Sequence, residues 1–476
     1  MPFVVPLLCS LRFLLWNSAF GLHPGCANSR IKKSVLIRVN PWLNFRVFAI
    51  PKTMRAVVYR GINDLRLETV PVPRIGAHEL LVKVAVCGVC PTDIKKIHYG
   101  TVPPPRIFGH ETAGTIVKIG GGAGVLAGRL RVGDRVALHH HVPCLHCHYC
   151  RHRAFAQCET YKRTGITAGF EPAGGGYAEY VRVMPFVLPG IVKIPVKNSF
   201  AEGALLEPVN TVLKAVRRLN LLRGDTVLVA GQGPIGLMFT RLLQLQGIRV
   251  LATDLLASRL RLAKKFGARW TQLVESRASR VEGKKSPALD PRPSSSLSAA
   301  GGGEGRGEVA ALDSRLSTLD AAIVAVPSDA VVQQALQLVR GGGQVLLFAH
   351  TKRATSVESR EPRVESQKNP PLVARLSPLD SLARRSAAKS AEVAALDPRP
   401  SSLDYSSICL DEKDLLGSYS SDFTLQREVA RLVFSRQLDV RRLITHHFPL
   451  EQTAAAVQLA AHPTENSLKI VVRVEV

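Results

Sequence analysis

The segment TVLVAGQGPIG, residues 226–236, decides the fold of the second half of the chain. Its first five residues are apolar or β-branched and predict a buried strand, which runs directly into the pattern G-x-G-x-x-G and then into an apolar helix at 237–245. The first glycine makes a tight turn, the second lets the backbone approach a pyrophosphate, and the third lets the helix pack on the strand. The segment therefore predicts a dinucleotide-binding loop, and its candidate cofactor-binding residues are Gly231, Gly233, Pro234, Ile235 and Gly236.

The next predicted strand, RVLATD at 249–254, ends in Asp254, 18 residues after the third glycine. A carboxylate at this place suits the free ribose hydroxyls of NAD and repels the additional phosphate of NADP. Strand and helix patterns alternate over residues 201–350, which predicts a doubly wound parallel sheet. We therefore expect an α/β domain that binds NAD.

Residues 54–200 precede this domain and have a different character. They are rich in Gly, Pro and Val, and short runs such as LLVKVAV at 80–86 are typical of strands. These residues predict a β-rich domain, so the expected fold class is α/β plus β. The C-terminal residues 403–476 contain a further predicted strand, LKIVVRV at 468–474.

Four of the nine cysteines fall within fifteen residues, in the pattern C-x2-C-x2-C-x7-C. A cluster this dense indicates metal binding rather than a disulfide framework. Four thiolates can close a tetrahedral Zn²⁺ site with no open position, so such a site is structural. The spacing differs from that of a zinc ribbon, whose two C-x2-C pairs lie further apart. The candidate ligands are Cys144, Cys147, Cys150 and Cys158.

A second group of metal-binding residue types lies upstream of the dinucleotide loop. Cys90 begins the sequence CPTD, and His110 and Glu111 belong to the sequence GHETAG at 109–114. A Cys, a His and a carboxylate, with water in the fourth position, suit a catalytic Zn²⁺. Isolated Cys and His residues are more often core or surface residues. Their place on a β-rich domain, ahead of a cofactor loop, favours a catalytic metal site.

The composition of the 476-residue chain is that of a globular protein, with 46% hydrophobic, 21% charged and 6% aromatic residues. The formal net charge of +26 alone would suit a nucleic-acid-binding protein. Nearly half of it lies in three segments, however: 1–53 carries +7, 275–318 carries +1 and 352–402 carries +4. No nucleic-acid motif accompanies the charge, and no apolar run reaches the ~18–20 residues of a membrane span. We therefore expect neither a nucleic-acid nor a membrane partner.

Three segments differ from the two domains. Residues 1–53 lack acidic residues, which fits either a targeting segment or an upstream start codon, with Met54 as the true first residue. Residues from about 275 to 306 and from 351 to 402 are rich in Ser, Pro, Arg and Ala, and the sequence VESR occurs near the start of both. We interpret the two as copies of one inserted repetitive element that forms disordered surface loops.

Together these motifs resemble the zinc-dependent medium-chain alcohol dehydrogenase family, and within it the sorbitol and threonine dehydrogenase branch. The resemblance covers residues 54–275, 319–350 and 408–476. It implies a GroES-like β-barrel catalytic domain with a structural zinc lobe at 54–200 and a Rossmann domain at 201–350. The C-terminal residues would then complete the Rossmann domain and return to the barrel. The resemblance also implies one catalytic and one structural Zn²⁺, NAD as cofactor, and a homo-oligomer that is a dimer or a tetramer.

The family pattern can be carried over residue by residue. Cys90 and His110 match two ligands of the family's catalytic zinc. The third ligand stays open. Glu111 matches a carboxylate that binds zinc in some members, and Glu207, in LLEP at 205–208, matches the position that supplies the third ligand.

Other matches concern proton transfer and the cofactor. Thr92 matches the hydroxyl that passes the substrate proton toward solvent, and Asp93 matches a carboxylate that orients the site. Arg259 lies where the family often has a basic residue near the adenosine ribose. The implied activity is hydride transfer from a secondary alcohol or polyol to NAD, in the cytoplasm. A threonine-type amino-acid dehydrogenase and a catalytically impaired NAD-binding homologue are the alternatives.

Overall fold

The computed structural model describes residues 49–121, 129–139, 142–160, 175–274, 319–349 and 405–474. Residues 1–48 of the N-terminal extension and the whole of both predicted inserts lie outside these ranges. Within the described ranges, no helix combines the length and the apolar character that crossing a bilayer requires.

The strands are, in chain order, β1 (Thr53–Gly61), β2 (Asp64–Pro71), β3 (Leu80–Gly88), β4 (Arg106–Ile107), β5 (Glu111–Ile119), β6 (Arg135–Leu138), β7 (Tyr180–Val183), β8 (Val192–Lys193), β9 (Thr226–Ala230), β10 (Arg249–Asp254), β11 (Trp270–Leu273), β12 (Leu319–Val324), β13 (Val339–Leu347), β14 (Asp414–Gly417), β15 (Ile444–Pro449) and β16 (Lys469–Arg473). The α-helices are α1 (Pro91–Tyr99), α2 (His148–Arg151), α3 (Phe200–Ala204), α4 (Leu206–Val216), α5 (Pro234–Leu245), α6 (Ala257–Phe266), α7 (Asp329–Leu338), α8 (Tyr405–Leu410), α9 (Gln426–Phe434) and α10 (Thr453–Ala461). Short 3-10 helices occur at Phe155–Gln157, Pro185–Gly190, Phe423–Leu425, Val440–Leu443 and Leu450–Gln452.

In the described part of the chain, six parallel strands form the sheet that carries the glycine loop. Their order is β11-β10-β9-β12-β13-β14, which is the order 3-2-1-4-5-6 of a doubly wound dinucleotide-binding fold. The central strand β9 is buried along its whole length. Val227 and Val229 join one apolar cluster with α5, whereas Leu228 joins another with α7, so both faces of the sheet are covered. The predicted doubly wound parallel sheet is confirmed.

The other strands form the β-rich part of the molecule. A three-stranded sheet has the order β2-β1-β4, and a larger sheet has the order β15-β16-β3-β5-β6-β8, with β7 also paired to β3. In the larger sheet β3 lies between β5 and β16, both antiparallel to it. Gly88, at the end of β3, faces Glu111 on one side and Val471 on the other. The end of β3 therefore meets the start of β5 and the returning C-terminal strand.

Candidate active site

Cys90, His110 and Glu111 come together just beyond the end of β3. Cys90 is the N-cap of α1, and Glu111 begins β5 directly opposite Gly88. The ligand atoms of the three residues all lie within 4.8 Å of one another, with His110 and Glu111 buried and Cys90 half-buried. A thiolate, an imidazole and a carboxylate at this separation can bind one Zn²⁺ and leave a position for water or substrate.

Asp93 lies in the first turn of α1 and is completely buried. Its Oδ1 accepts a hydrogen bond of 3.1 Å from Nδ1 of His110, which leaves Nε2 of the ring for a metal ion. Burial raises the pKa of Asp93, but the charge and hydrogen bond of His110 outweigh burial and bring it below its usual value. For His110, burial has the opposite effect and lowers the pKa. The charges of Asp93 and Cys90 outweigh burial, so the pKa of His110 lies well above its usual value. The pocket therefore stabilises positive charge.

Two buried carboxylate oxygens of the candidate site lack a hydrogen-bond partner among the described residues. They are Oδ2 of Asp93 and Oε2 of Glu111. Buried polar atoms are seldom left without a partner. For Glu111, a metal ion held together with Cys90 and His110 would supply a partner. The donor set and the unsatisfied oxygen both fit Zn²⁺.

Glu207 lies in the first turn of α4 and is 4% exposed. Burial raises the pKa of Glu207 to about 7, although the charge of His110 opposes the shift. In the described part of the chain, Glu207 is not among the residues whose ligand atoms lie within 4.8 Å of one another. Glu111 thus approaches Cys90 and His110 to within 4.8 Å, and Glu207 lies close enough to feel the charges of His110 and Glu111.

Lys469 also belongs to this site, although the sequence did not lead us to it. It is buried at the start of β16, and its Nζ donates to Oε1 of Glu111 at 2.6 Å and to the carbonyl of Val89 at 2.9 Å. In the sequence, Lys469 directly precedes the apolar run IVV. A charged residue in such a strand needs a buried partner, and this requirement could have marked Lys469 as a candidate.

Thr92 is half-buried in the first turn of α1, between Cys90 and Asp93 in the sequence. Lys95 follows three residues later on the same face of the helix, and burial lowers its pKa. The helix therefore carries a hydroxyl two residues after Cys90 in the sequence.

The four clustered cysteines form a second candidate metal site, in a lobe around α2. Their Sγ atoms all lie within 4.8 Å of one another. The N–H groups of Cys144 and Cys147 donate to the sulfurs of Cys158 and Cys144, at 3.4 Å each. Backbone hydrogen bonding, chiefly at His146, lowers the pKa of Cys144 to about 6. Donors of this kind stabilise thiolates, and the arrangement fits a closed tetrahedral zinc site that also includes Cys150.

The glycine loop is tightly packed at Gly231 and Gly236 but open at Gly233. Gly231 has a φ of 91°, a conformation that favours glycine, and a Cβ on Gly236 would lie 1.8 Å from the carbonyl oxygen of Gly231. A Cβ on Gly233 would meet nothing within 4 Å. Pro234 fills the first position of α5, where no N–H is required, and the half-buried Ile235 packs against the main apolar cluster. An open helix N-terminus of this kind suits a pyrophosphate.

Asp254 lies beside this loop at the end of β10. Its Oδ2 accepts a hydrogen bond of 2.6 Å from the N–H of Gln232, and its Oδ1 accepts one of 2.9 Å from the N–H of Leu256. Arg259 places Nη1 4.0 Å from Oδ2. A carboxylate oxygen can accept more than one hydrogen bond, so Asp254 can hold the loop and still accept ribose hydroxyls.

A cavity of about 770 Å³ opens between the four-cysteine lobe, α4 and the carboxyl ends of β13 and β14. Its lining includes Phe155 of the lobe, Lys214 of α4, Phe348 and Tyr419. In doubly wound folds, ligands bind outside the carboxyl ends of the strands. The cavity is therefore on the side of the sheet where a ligand is expected.

Sequence comparisons identify relatives of the chain. The family model for the alcohol dehydrogenase GroES-like domain matches residues 76–195. A sorbitol dehydrogenase from Bombyx mori is 31% identical over 256 residues, which are 52% of this chain and 70% of that enzyme. A sorbitol dehydrogenase from Bacillus subtilis is 32% identical over 229 residues, which are 46% of this chain and 61% of that enzyme.

Solved structures share the fold. A 2R,3R-butanediol dehydrogenase from Bacillus subtilis matches with a TM-score of 0.62 at 21% identity, over 89% of this chain and 100% of that chain. An acetophenone reductase from Geotrichum candidum, in complex with NAD, matches with a TM-score of 0.63 at 20% identity, over 89% of this chain and 98% of that chain. The predicted pairing of a GroES-like domain with a Rossmann sheet is confirmed. The chain belongs to the zinc-dependent medium-chain alcohol dehydrogenase family, in its sorbitol dehydrogenase-like branch.

Proposed function

We propose that this chain is a zinc- and NAD-dependent dehydrogenase that oxidises a secondary alcohol or polyol. The observation that carries the proposal is the approach of Cys90, His110 and Glu111 to within 4.8 Å, in a molecule that also has an open glycine loop. The sorbitol dehydrogenases among the relatives support a polyol as the substrate. We assign one zinc ion to this group and a second, structural one to the four-cysteine lobe.

Some residues of the site would bind the metal ion, and others would bind the cofactor or transfer the proton. Bound zinc would supply Lewis acidity that lowers the pKa of a substrate hydroxyl, and bound NAD would accept hydride from the adjacent carbon. Asp93 accepts a hydrogen bond from Nδ1 of His110, which leaves Nε2 of the ring available to the metal. Thr92, two residues after Cys90 in the sequence, accepts the proton of the substrate hydroxyl and passes it toward solvent. Asp254 binds the ribose hydroxyls, which favours NAD over NADP.

We also propose a cytoplasmic protein that assembles as a homodimer or homotetramer. The seven cysteines of the described residues form no disulfide with one another, which suits a reducing compartment. The assembly rests on the resemblance to the family.

The reaction can be tested with a panel of polyols, simple secondary alcohols and threonine. We expect the purified full-length chain to form NADH, followed by absorbance, with at least one polyol, and to lose this activity after treatment with a chelator. Turnover of threonine alone would favour the amino-acid dehydrogenase. Lack of turnover with every substrate, while NAD still protects the protein against heat, would contradict the proposal and favour an impaired homologue.

A further inference from the structure

Gln232 stands between the first two glycines of the cofactor loop, and its polar side chain is completely buried. Its Nε2 donates to the carbonyl oxygen of Val229 at 3.0 Å, and its Oε1 accepts a hydrogen bond of 3.0 Å from Oγ1 of Thr240. Because the carbonyl of Val229 can only accept, the amide nitrogen must face it. The orientation of the side-chain amide is therefore fixed by its partners.

The backbone of Gln232 is held as well as its side chain. Its N–H donates to Oδ2 of Asp254 at 2.6 Å, at the end of β10. The two side-chain bonds reach Val229 in β9 and Thr240 in α5. Gln232 thus ties the loop to three elements, β9, β10 and α5. In a doubly wound fold these are the elements that surround the pyrophosphate and the adenosine ribose.

Thr240, the partner of Gln232, lies in the middle of α5 and is also completely buried. A threonine within a helix often donates its hydroxyl to the backbone carbonyl one turn earlier. The single hydroxyl hydrogen of Thr240 goes instead to Gln232, eight residues earlier in the chain. A hydrogen bond between two completely buried side chains is costly to break, because water cannot replace the lost partner.

The side chain of Gln232 also lies close to the third glycine of the loop. A Cβ on Gly236 would come within 3.6 Å of Nε2 of Gln232, whereas a Cβ on Gly233 would meet nothing within 4 Å. The side chain therefore fills space next to the close-packed glycine and leaves the open glycine to a ligand. The first N–H groups of a helix have no partner within the helix, so those of α5 are available to a pyrophosphate.

We propose that Gln232 is a positioning residue for the cofactor, which together with Thr240 holds the glycine loop in its NAD-binding conformation before NAD arrives. This inference rests on the proposed NAD-dependent function. A loop without this support would populate other conformations, and the apparent affinity for NAD would fall in proportion to the fraction that remains competent to bind. A purely structural pair would stabilise the fold but would leave the affinity of the folded protein for NAD unchanged.

The test measures NAD binding by folded, full-length variants. Gln232→Met removes both side-chain hydrogen bonds at similar volume, Thr240→Val removes the hydroxyl, and Thr240→Ser retains it. Thr453→Val is the matched control, because Thr453 is also completely buried and its Oγ1 donates to the carbonyl of Leu450 at 2.6 Å, at the start of α10 in the β-rich part. Calorimetric titration gives the Kd of NAD, and thermal unfolding without NAD reports stability.

We expect Gln232→Met and Thr240→Val each to bind NAD about 3–10-fold more weakly, since a buried hydrogen bond usually has an effect of this order. The KM for NAD should rise, while kcat at saturating NAD stays near that of the wild type. The double variant should bind about as weakly as Gln232→Met alone, because that change already removes the partner of Thr240. Thr240→Ser should bind nearly as tightly as the wild type. Thr453→Val should lower the Tm and leave the Kd of NAD unchanged.

Wild-type affinity for NAD in both Gln232→Met and Thr240→Val would overturn the inference. Should Gln232→Met fail to fold, the comparison of Thr240→Val with Thr240→Ser decides the question, and equal affinities of these two variants would overturn the inference as well. A wild-type chain that does not bind NAD at all would instead contradict the proposed function.

Discussion

Replacing His110 by alanine is expected to lower kcat/KM for polyol oxidation by at least about a hundredfold. Even the loss of a group that merely orients a metal ligand costs about 10–100-fold, and His110 is itself a candidate ligand. The change also leaves the completely buried Asp93 without the hydrogen bond from Nδ1. We expect zinc to fall from about two ions per chain to about one, held by the four-cysteine lobe. Metal analysis and NADH formation measure the two effects separately.

The control for this change is His446→Ala. His446 lies on β15 and shares a hydrogen bond of 2.9 Å with Oγ1 of Thr445. It is not in the group formed by Cys90, His110 and Glu111, so both zinc ions and the activity should be retained. A His110→Ala variant that keeps two zinc ions and normal turnover would show that His110 is not a ligand.

The second large effect is expected at the glycine loop, where two substitutions separate packing from cofactor binding. In Gly236→Ala, the new Cβ would lie 1.8 Å from the carbonyl oxygen of Gly231, so the helix must move away from the strand. We expect a loss of about 1–3 kcal/mol in the free energy of unfolding, together with loss of NAD binding. In Gly233→Ala, nothing lies within 4 Å of the new Cβ, so stability without cofactor should be unchanged. NAD should nevertheless bind more weakly, because the methyl group occupies the space that a pyrophosphate needs.

Thermal unfolding with and without NAD distinguishes these cases. Gly61→Ala is the control, since its Cβ also meets nothing within 4 Å and the residue lies far from the loop in the sequence, at the end of β1. It should keep the full increase in Tm that NAD gives the wild type. If NAD raised the Tm of Gly233→Ala as much as that of the wild type, the assignment of this loop to the pyrophosphate would be wrong.

The fold could be predicted because its signals are local. The strand, glycines, helix and acid between 226 and 254 are consecutive, and each has a physical requirement that few other sequences meet. The four cysteines are equally local. Cys90 and His110 could be named as a pair only because the two motifs lie on one β-rich domain. Their approach depends on the pairing of β3 with β5.

The approach of Glu111 to Cys90 and His110 could not be predicted from the sequence. It depends on the register that sets Glu111 opposite Gly88, and a shift of one residue would turn the side chain to the other face of the sheet. Lys469 was missed for a related reason. Its contact with Glu111 spans 358 positions and requires β16 to pair with β3, which no local pattern in LKIVVRV specifies.

The central claim is that zinc bound by Cys90, His110 and Glu111 is required for NAD-linked alcohol oxidation. Its most direct test is the restoration of NADH formation by zinc in the full-length protein. A chelator is used to remove the more weakly held ion, and zinc is then added back stepwise. The account predicts that activity is lost with that ion and returns in proportion to zinc, up to about one added equivalent per chain. Full activity in protein that retains only the lobe zinc would contradict it.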